Sequence, residues 1–393
     1  MVSALLLGAL LGALGAGRLA DTWGRRRSVV VAGVAAAAGA LLAGLAVNVP
    51  MLLGGRVIIG LAVGVTSAIA PLYIAELAPA RTRGSMVALY QLSLTLGILA
   101  ALAVGVAFSP TADWRIMIAA GAVPAIAQVL AMAIVPESPR YLAARGRVED
   151  ARRVLERLRP PGEVEAELSD ITRMDRAVAR VRFRDIFARA VRPCLIVGVG
   201  AALMNALVGV GAVIYYSTDI FQTAGVTNAE VASLAVGAVN TIMTLVAVLL
   251  IARYRRRGLL LVGLSGIVVG LVVAGVSLLV DAPGWITVAG LLGFIASFAI
   301  SAGPIAWLIV AEVFPLAIRG RAASFATSTN WTANFVLALA FPLFVGTPGD
   351  PKKVGIAFFV YAAISFGFIV FVARLVPETK DRTLEEIEAE LRR

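Results

Sequence analysis

Histidine is absent from the 393 residues, and cysteine occurs once, at Cys194. Without imidazole, proton chemistry falls to carboxylates. With one thiol, no disulfide can close within the chain. Charge is also scarce: 15% of residues carry it, against about 25% in a soluble domain. Nothing resembles a nucleophile–base pair, a metal-ligand cluster or a Gly-x-x-x-x-Gly-Lys-Ser/Thr phosphate loop. Catalysis, a cofactor and ATP-driven work are therefore not expected.

What fills the chain instead is apolar: 60% of residues are hydrophobic and the mean hydropathy is +0.91. The apolar residues come in blocks long enough to cross a hydrocarbon core of ~30 Å as a helix. Such blocks lie near 2–20, 28–47, 52–75, 85–108, 115–135, 193–218, 230–251, 259–280, 285–310, 322–345 and 355–375. In lipid every backbone polar group must be satisfied internally, and runs of Ala, Leu, Val and Gly select helices over barrel strands. The fold class is an all-α polytopic membrane protein with eleven spans. The first run is no signal peptide, since its basic cluster follows the apolar stretch rather than preceding it.

The net charge of +11 is almost entirely arginine; only Lys352, Lys353 and Lys380 are lysine. The arginines fall in alternate short loops, which fits topology better than nucleic-acid binding. The Arg-rich loops and the C-terminus are expected in the cytoplasm, in a plasma-membrane setting. The polar stretch 140–192 reads as two or three amphipathic helices on the membrane face, because Leu142, Val148, Ala151, Val154, Leu155 and Leu158 recur at helical spacing. The tail opens a further short helix, with Thr383 and Glu386 at capping-box spacing. This divides the chain into a first bundle (1–139), a helical linker (140–192), a second bundle (193–376) and a tail (377–393).

The bundles repeat one pattern. Glu76-x-x-Pro79-x-x-x-Arg83-Gly84 recurs as Glu312-x-x-Pro315-x-x-x-Arg319-Gly320. Pro136-Glu137-Ser138-Pro139 recurs as Pro377-Glu378-Thr379-Lys380. Asp21-Thr22-Trp23-Gly24-Arg25-Arg26 recurs, eroded, as Ala252-Arg253-Tyr254-Arg255-Arg256-Arg257. Parallel repeats of this kind are a transporter architecture. The second copy has a span, near 193–218, ahead of its eroded motif. Its counterpart would fall before Met1, so six plus six spans are expected of the design and five plus six of this chain.

Added to these motifs, Pro71-x-Tyr73, Gln91-Leu92, Pro139-Arg140, Tyr215-Tyr216, Glu312-x-Phe314-Pro315 and Trp331-x-x-Asn334 make the chain resemble a major facilitator superfamily transporter of the sugar porter family, lacking the first helix. The resemblance implies two six-helix bundles, alternating access, a sugar or polyol substrate and, in the intact design, proton coupling. It implies that Asp21, Arg25, Glu76, Arg83, Glu137, Arg256, Glu312, Arg319 and Glu378 form a charge latch between the halves. Ala252 and Arg255, in place of an Asp and a Gly, weaken the second copy.

Polar residues inside spans usually face a cavity, which singles out Gln91, Asn205, Asn240, Asn330 and Asn334, with Tyr215 and Trp307 as aromatic partners. Amides offer donors and acceptors without fixed charge, as an uncharged polyol requires; taken singly, each could equally be an interhelical bond. In the family pattern Gln91 and Asn240 match sugar contacts. Asn205-Ala206, Gly211, Ala302 and Asn330 stand where the family has a Gln pair, an Asn, a Trp and a Gln. A smaller or differently substituted polyol, or another organic solute such as an organic acid or drug, is the alternative. A non-transporting sensor or remnant is a further one. Arg56 lies inside its span, where it needs an anionic partner or snorkels outward. The resemblance makes it a coupling residue whose acid sits on the first helix. The expected partners are a small solute, a proton and the bilayer, with a monomeric state.

Overall fold

In the computed structural model, described for residues 2–79, 83–111, 113–178, 183–189, 191–315, 318–346, 349–380 and 382, eleven segments are long and apolar enough to span a bilayer. Among the described residues there is no strand. The first spans are α1 (Val2–Trp23), α2 (Arg25–Gly44), α3 (Val49–Leu77) and α4 (Arg83–Phe108), followed by the pair α5 (Trp114–Ala119) and α6 (Ala122–Met132). Three short helices follow: α7 (Pro139–Ala144), α8 (Val148–Leu158) and α9 (Val164–Val178). The remaining spans are α10 (Arg192–Leu207) with α11 (Val210–Tyr215), then the short α12 (Ser217–Thr223), α13 (Ala229–Arg253), α14 (Arg256–Leu279), α15 (Gly284–Ile300) with α16 (Ala302–Val313), α17 (Arg319–Val345) and α18 (Pro351–Leu375).

Three of the blocks expected to be continuous are broken. The first break is at Ala120-Gly121 and the second at Val208-Gly209, where Gly209 is left-handed (φ 93°). The third is at Ser301 (φ −132°, ψ −92°), just ahead of Gly303-Pro304. Each break frees backbone carbonyls at membrane depth, which is tolerated only against protein or a cavity. Asn205 exploits this: its amide nitrogen donates to Ala302 O (3.2 Å) and Gly303 O (3.4 Å) at the α15–α16 break.

Small residues set the closest packing. Gly8 and Gly12 of α1 face Gly60 and Gly64 of α3, two small-xxx-small pairs of the kind that brings membrane helices together. A Cβ at Gly60 would lie 2.0 Å from Leu5 O, and one at Gly64 2.0 Å from Ala9 O. The first-repeat core (Ala16, Val29, Ala32, Val65, Ile69, Tyr73) continues this seam. A larger core in the second repeat is built on Phe294, Phe314 and Phe358. Outward faces stay apolar: Leu130, Leu249 and Leu343 are at least 68% exposed, as lipid-facing side chains should be.

The repeats meet along α1 with α17 and along α4 with α13. The Ser3 hydroxyl donates to Ala338 O (3.3 Å), the Trp331 indole to Ser67 Oγ (3.3 Å), and the Thr241 hydroxyl to Thr95 O (3.1 Å). Most of the described residues between 140 and 178 are helical, and their apolar faces pack on one another: Leu142, Ala151, Leu155, Val164, Leu168 and Ile171 form a small core of their own. The expected tail helix at Thr383–Glu386 lies outside the described residues.

Candidate substrate path and gating charges

At the Arg-rich end of the molecule the two repeats build the same constellation. In the first, Glu137 caps α2, accepting from Arg25 N (3.0 Å) and Arg26 N (3.1 Å). The cap exists because Gly24 precedes the helix. Its φ is 93°, and a Cβ there would lie 2.3 Å from Glu137 Oε2. The anion also sits where the α2 dipole favours it. The Arg25 guanidinium donates from Nε to Glu76 Oε2 (3.2 Å) and from Nη2 to Glu76 Oε1 (3.3 Å), a two-point pairing. Asp21 lies 3.5 Å from Arg25 Nη1, and Ser138 Oγ donates to Glu76. Arg26 reaches back to Met132 O (2.9 Å) and Ala133 O (2.8 Å) at the end of α6.

In the second repeat Glu378 caps α14 from Arg256 N (3.1 Å) and Arg257 N (3.2 Å). Arg256 pairs with Glu312 and also donates to Thr379 Oγ1 (2.9 Å). Arg257 bonds Ala373 O at the end of α18. The copies thus match at the arginine and both glutamates, with Thr379 at the position of Ser138 and Ala252 at that of Asp21. These pairs join elements within one repeat, whereas the expected latch runs between the halves. The side chains of Arg83 and Arg319 lie outside what is described.

A further charge docks the short helices onto this network. The Arg159 side chain is 2% exposed and pairs with Glu167 (2.6 Å). It also donates to Leu77 O (2.9 Å) and Ala78 O (3.2 Å), the last carbonyls of the helix that carries Glu76. Only the fold reveals this role, because nothing in the local pattern sets Arg159 apart from its neighbours.

At mid-depth three of the expected amides converge. The Asn334 amide donates to Asn330 Oδ1 (3.1 Å), Asn330 to Asn205 Oδ1 (3.2 Å) and Ala202 O (2.8 Å), and Asn205 to the α15–α16 break. The chain links α10, α16 and α17. Its free end is Asn334 Oδ1, which a Cβ at Gly211 would approach to 3.2 Å; Tyr215 Cε2 lies 3.4 Å from the same point. Gly211 therefore leaves room between an amide oxygen and an exposed phenol ring.

Asn240 is buried on α13 and Gln91 half-buried on α4. These helices run antiparallel, with Thr241 at the level of Thr95 and Gly237 at that of Leu99 and Leu102. That register puts Gln91 about 7 Å along the axis from Asn240. Trp307 is partly buried and packs against the second-repeat core. Trp331, Ser67, Thr95 and Thr241 were not singled out as site residues by the sequence. The Trp331-x-x-Asn334 pattern was a usable signal for Trp331; isolated Ser and Thr carry none.

Arg56 sits about 10 Å along α3 and is half-buried; its Nε has no hydrogen-bond partner among the described residues. Among the described residues no group of three or more Cys, Asp or Glu could hold a metal ion.

A family model described as "Sugar (and other) transporter" matches residues 1–391. Over the whole chain, the sequence is 37% identical to a galactose-proton symporter of Escherichia coli, covering 85% of that protein. It is 34% identical to a glucose transporter of Staphylococcus epidermidis, covering 88%. The fold superposes on a solved major facilitator proton:xylose symporter bound to 6-bromo-6-deoxy-D-glucose with a TM-score of 0.85, at 28% identity, over 99% of this chain and 88% of that one.

Proposed function

The chain belongs to the sugar transporter family and has the major facilitator fold, a multi-pass plasma-membrane transporter and not an enzyme, and we propose that it carries a sugar or polyol by alternating access with proton coupling. The observation that carries this reading is the amide chain Asn334–Asn330–Asn205, ending in an amide oxygen and a phenol beside the space at Gly211. An uncharged polyol needs such a surface: neutral donors and acceptors beside an aromatic face. Gln91 and Asn240 complete the path from the facing helices α4 and α13, and Trp307 acts behind it. Proton coupling is supported by the relatives named as symporters, and by an arginine at membrane depth whose charge requires an anion. Arg56 is that coupling residue.

The Arg-rich face is cytoplasmic by the positive-inside rule, which places the C-terminus inside; the transporter works as a monomer. The paired clusters at Arg25–Glu76–Glu137 and Arg256–Glu312–Glu378, with Asp21, hold the inner ends of the helices so that each repeat moves as a unit. Tritiated galactose, xylose, glucose and arabinose uptake into proteoliposomes, with and without an inward proton gradient, tests the reading. Gradient-stimulated uptake of one or more sugars, abolished by a protonophore, is expected. Uptake indifferent to the gradient would remove the proton coupling, and no uptake of any of the four would overturn the sugar assignment.

A further inference from the structure

Two prolines lie deep inside described helices, Pro71 in α3 and Pro342 in α17. A proline there offers no N–H to the carbonyl four residues before it, and its ring crowds that carbonyl. The oxygen released by Pro342 is Ala338 O. Ala338 is buried, so its oxygen must find donors within the protein.

It finds two, from different parts of the molecule. The Tyr216 hydroxyl donates to it (2.9 Å) from the corner between α11 and α12, and the Tyr216 ring stacks on Phe341, with 5.3 Å between centroids. The Ser3 hydroxyl donates (3.3 Å) from α1, across the boundary between the repeats. A carbonyl oxygen has two lone pairs, and without a helical donor both are open to these hydroxyls. Ala338 stands one turn of α17, about 6 Å, beyond Asn334, in the direction away from Arg319, and Tyr216 follows Tyr215 directly. The shared acceptor therefore lies one turn outward from the amide oxygen and phenol that flank Gly211.

Pro71 stands in a similar relation to the other repeat. Four residues before it, Ser67 Oγ accepts from the Trp331 indole (3.3 Å) while donating to Gly64 O (3.0 Å). Each of these prolines thus follows, by one turn, a residue that contacts the opposite repeat. The arrangement on α17 is peculiar to the second repeat: aligned on Arg83 and Arg319, α4 carries Val106 at the position of Pro342.

We propose that Pro342 is a positioning residue of the outer gate, an inference that rests on the alternating-access reading. By leaving Ala338 O without its helical donor, Pro342 supplies the acceptor on which α1 and the α11–α12 corner close over the path. Opening breaks the Ser3 bond and leaves the Tyr216 bond in place, so the carbonyl stays satisfied and α17 loses no helical hydrogen bond of its own. An N–H at position 342 would compete for the same oxygen.

The test is alkylation of a single cysteine, Y215C in a C194A background, by a membrane-impermeant maleimide added to intact cells without sugar. P342A restores the competing N–H and should speed labelling by about five-fold, the effect of losing one hydrogen bond; S3A and Y216F should each do the same. In the S3A/Y216F background P342A should add nothing, because the donors it displaces are already gone. Lactic acid incorporated at position 342 has neither ring nor N–H and should keep the rate of the parent. Equal rates in P342A and the parent, or further acceleration by P342A in the S3A/Y216F background, would overturn the proposal. So would a lactate variant as fast as P342A, which would assign the effect to the ring. If P342A fails to reach the membrane, S3A and Y216F carry the comparison, since both leave the helix backbone intact, and unchanged labelling in both is then the overturning result. The readout contains no sugar: labelling as expected in a protein that takes up none of the four sugars would keep the gate and remove only the substrate assignment.

Discussion

Glu76 and Arg25 are 5% and 13% exposed at the side chain, so their pairing cannot be replaced by water. Removing one partner of such a pair strands a charge and costs about 3 kcal/mol. The substitution E76A should therefore lower the thermal midpoint strongly, while R25M/E76M should recover most of the loss; both are read by differential scanning fluorimetry in detergent. Gly24 makes a second residue-scale prediction. With φ at 93° and Glu137 2.3 Å from a Cβ, G24A should destabilise by roughly 1–3 kcal/mol in the same assay, whereas G105A, in open space on α4, should not. The sequence showed Asp21 to Arg27 as a motif, but the reason for its glycine lies in Glu137, more than a hundred residues on.

Helices α1 and α3 are held by backbone approach rather than by large side chains. The facing pairs Gly8/Gly12 and Gly60/Gly64 leave no room for a Cβ, so G60L must push the helices apart. The expected cost is at the upper end of the ~1–3 kcal/mol of overpacking, seen as loss of monodisperse protein in size-exclusion chromatography; G97A on α4, with nothing near, is the matched control. The breaks at Ala120-Gly121, Gly209 and Ser301 belong to this scale as well. Hydropathy sees a helix and its reversal equally as an apolar run, so the blocks were legible while the breaks inside them were not. Glycine and proline were visible at the third break (Gly303-Pro304), but their effect depends on who accepts or donates to the freed backbone, and Asn205 does so from a distant helix.

For the whole molecule, the contacts between repeats define the moving interface. Ser3 of α1 meets Ala338 of α17 at the end away from the arginines. Alternating access requires this contact to open and close. In a C194A background, cross-linking S3C to A338C should abolish proteoliposome uptake, and reduction should restore it. Uptake that continues in the cross-linked protein would mean that this end stays shut throughout the cycle. Arg56 is tested at the same scale, because coupling is a property of the cycle: R56Q should lose gradient-driven accumulation by more than ten-fold while retaining sugar exchange, measured by counterflow.

The sequence by itself determined the class, the eleven spans, the repeat and the charged end, because hydropathy, period and motif offset are local or translational quantities written along the chain. It also supplied the amide residues that the structure joins, Asn205, Asn330 and Asn334. Tertiary structure alone decided which amides touch, that the charge pairs close within each repeat, that Arg159 fastens α8 and α9 to α3, and that Ser3 and Tyr216 share Ala338 O. The physical reason is common to all four. A hydrogen bond or an ion pair is decided within about 3–4 Å, and most of the partners here lie tens to hundreds of residues apart, so the pattern along the chain names the participants but only packing chooses the pairs.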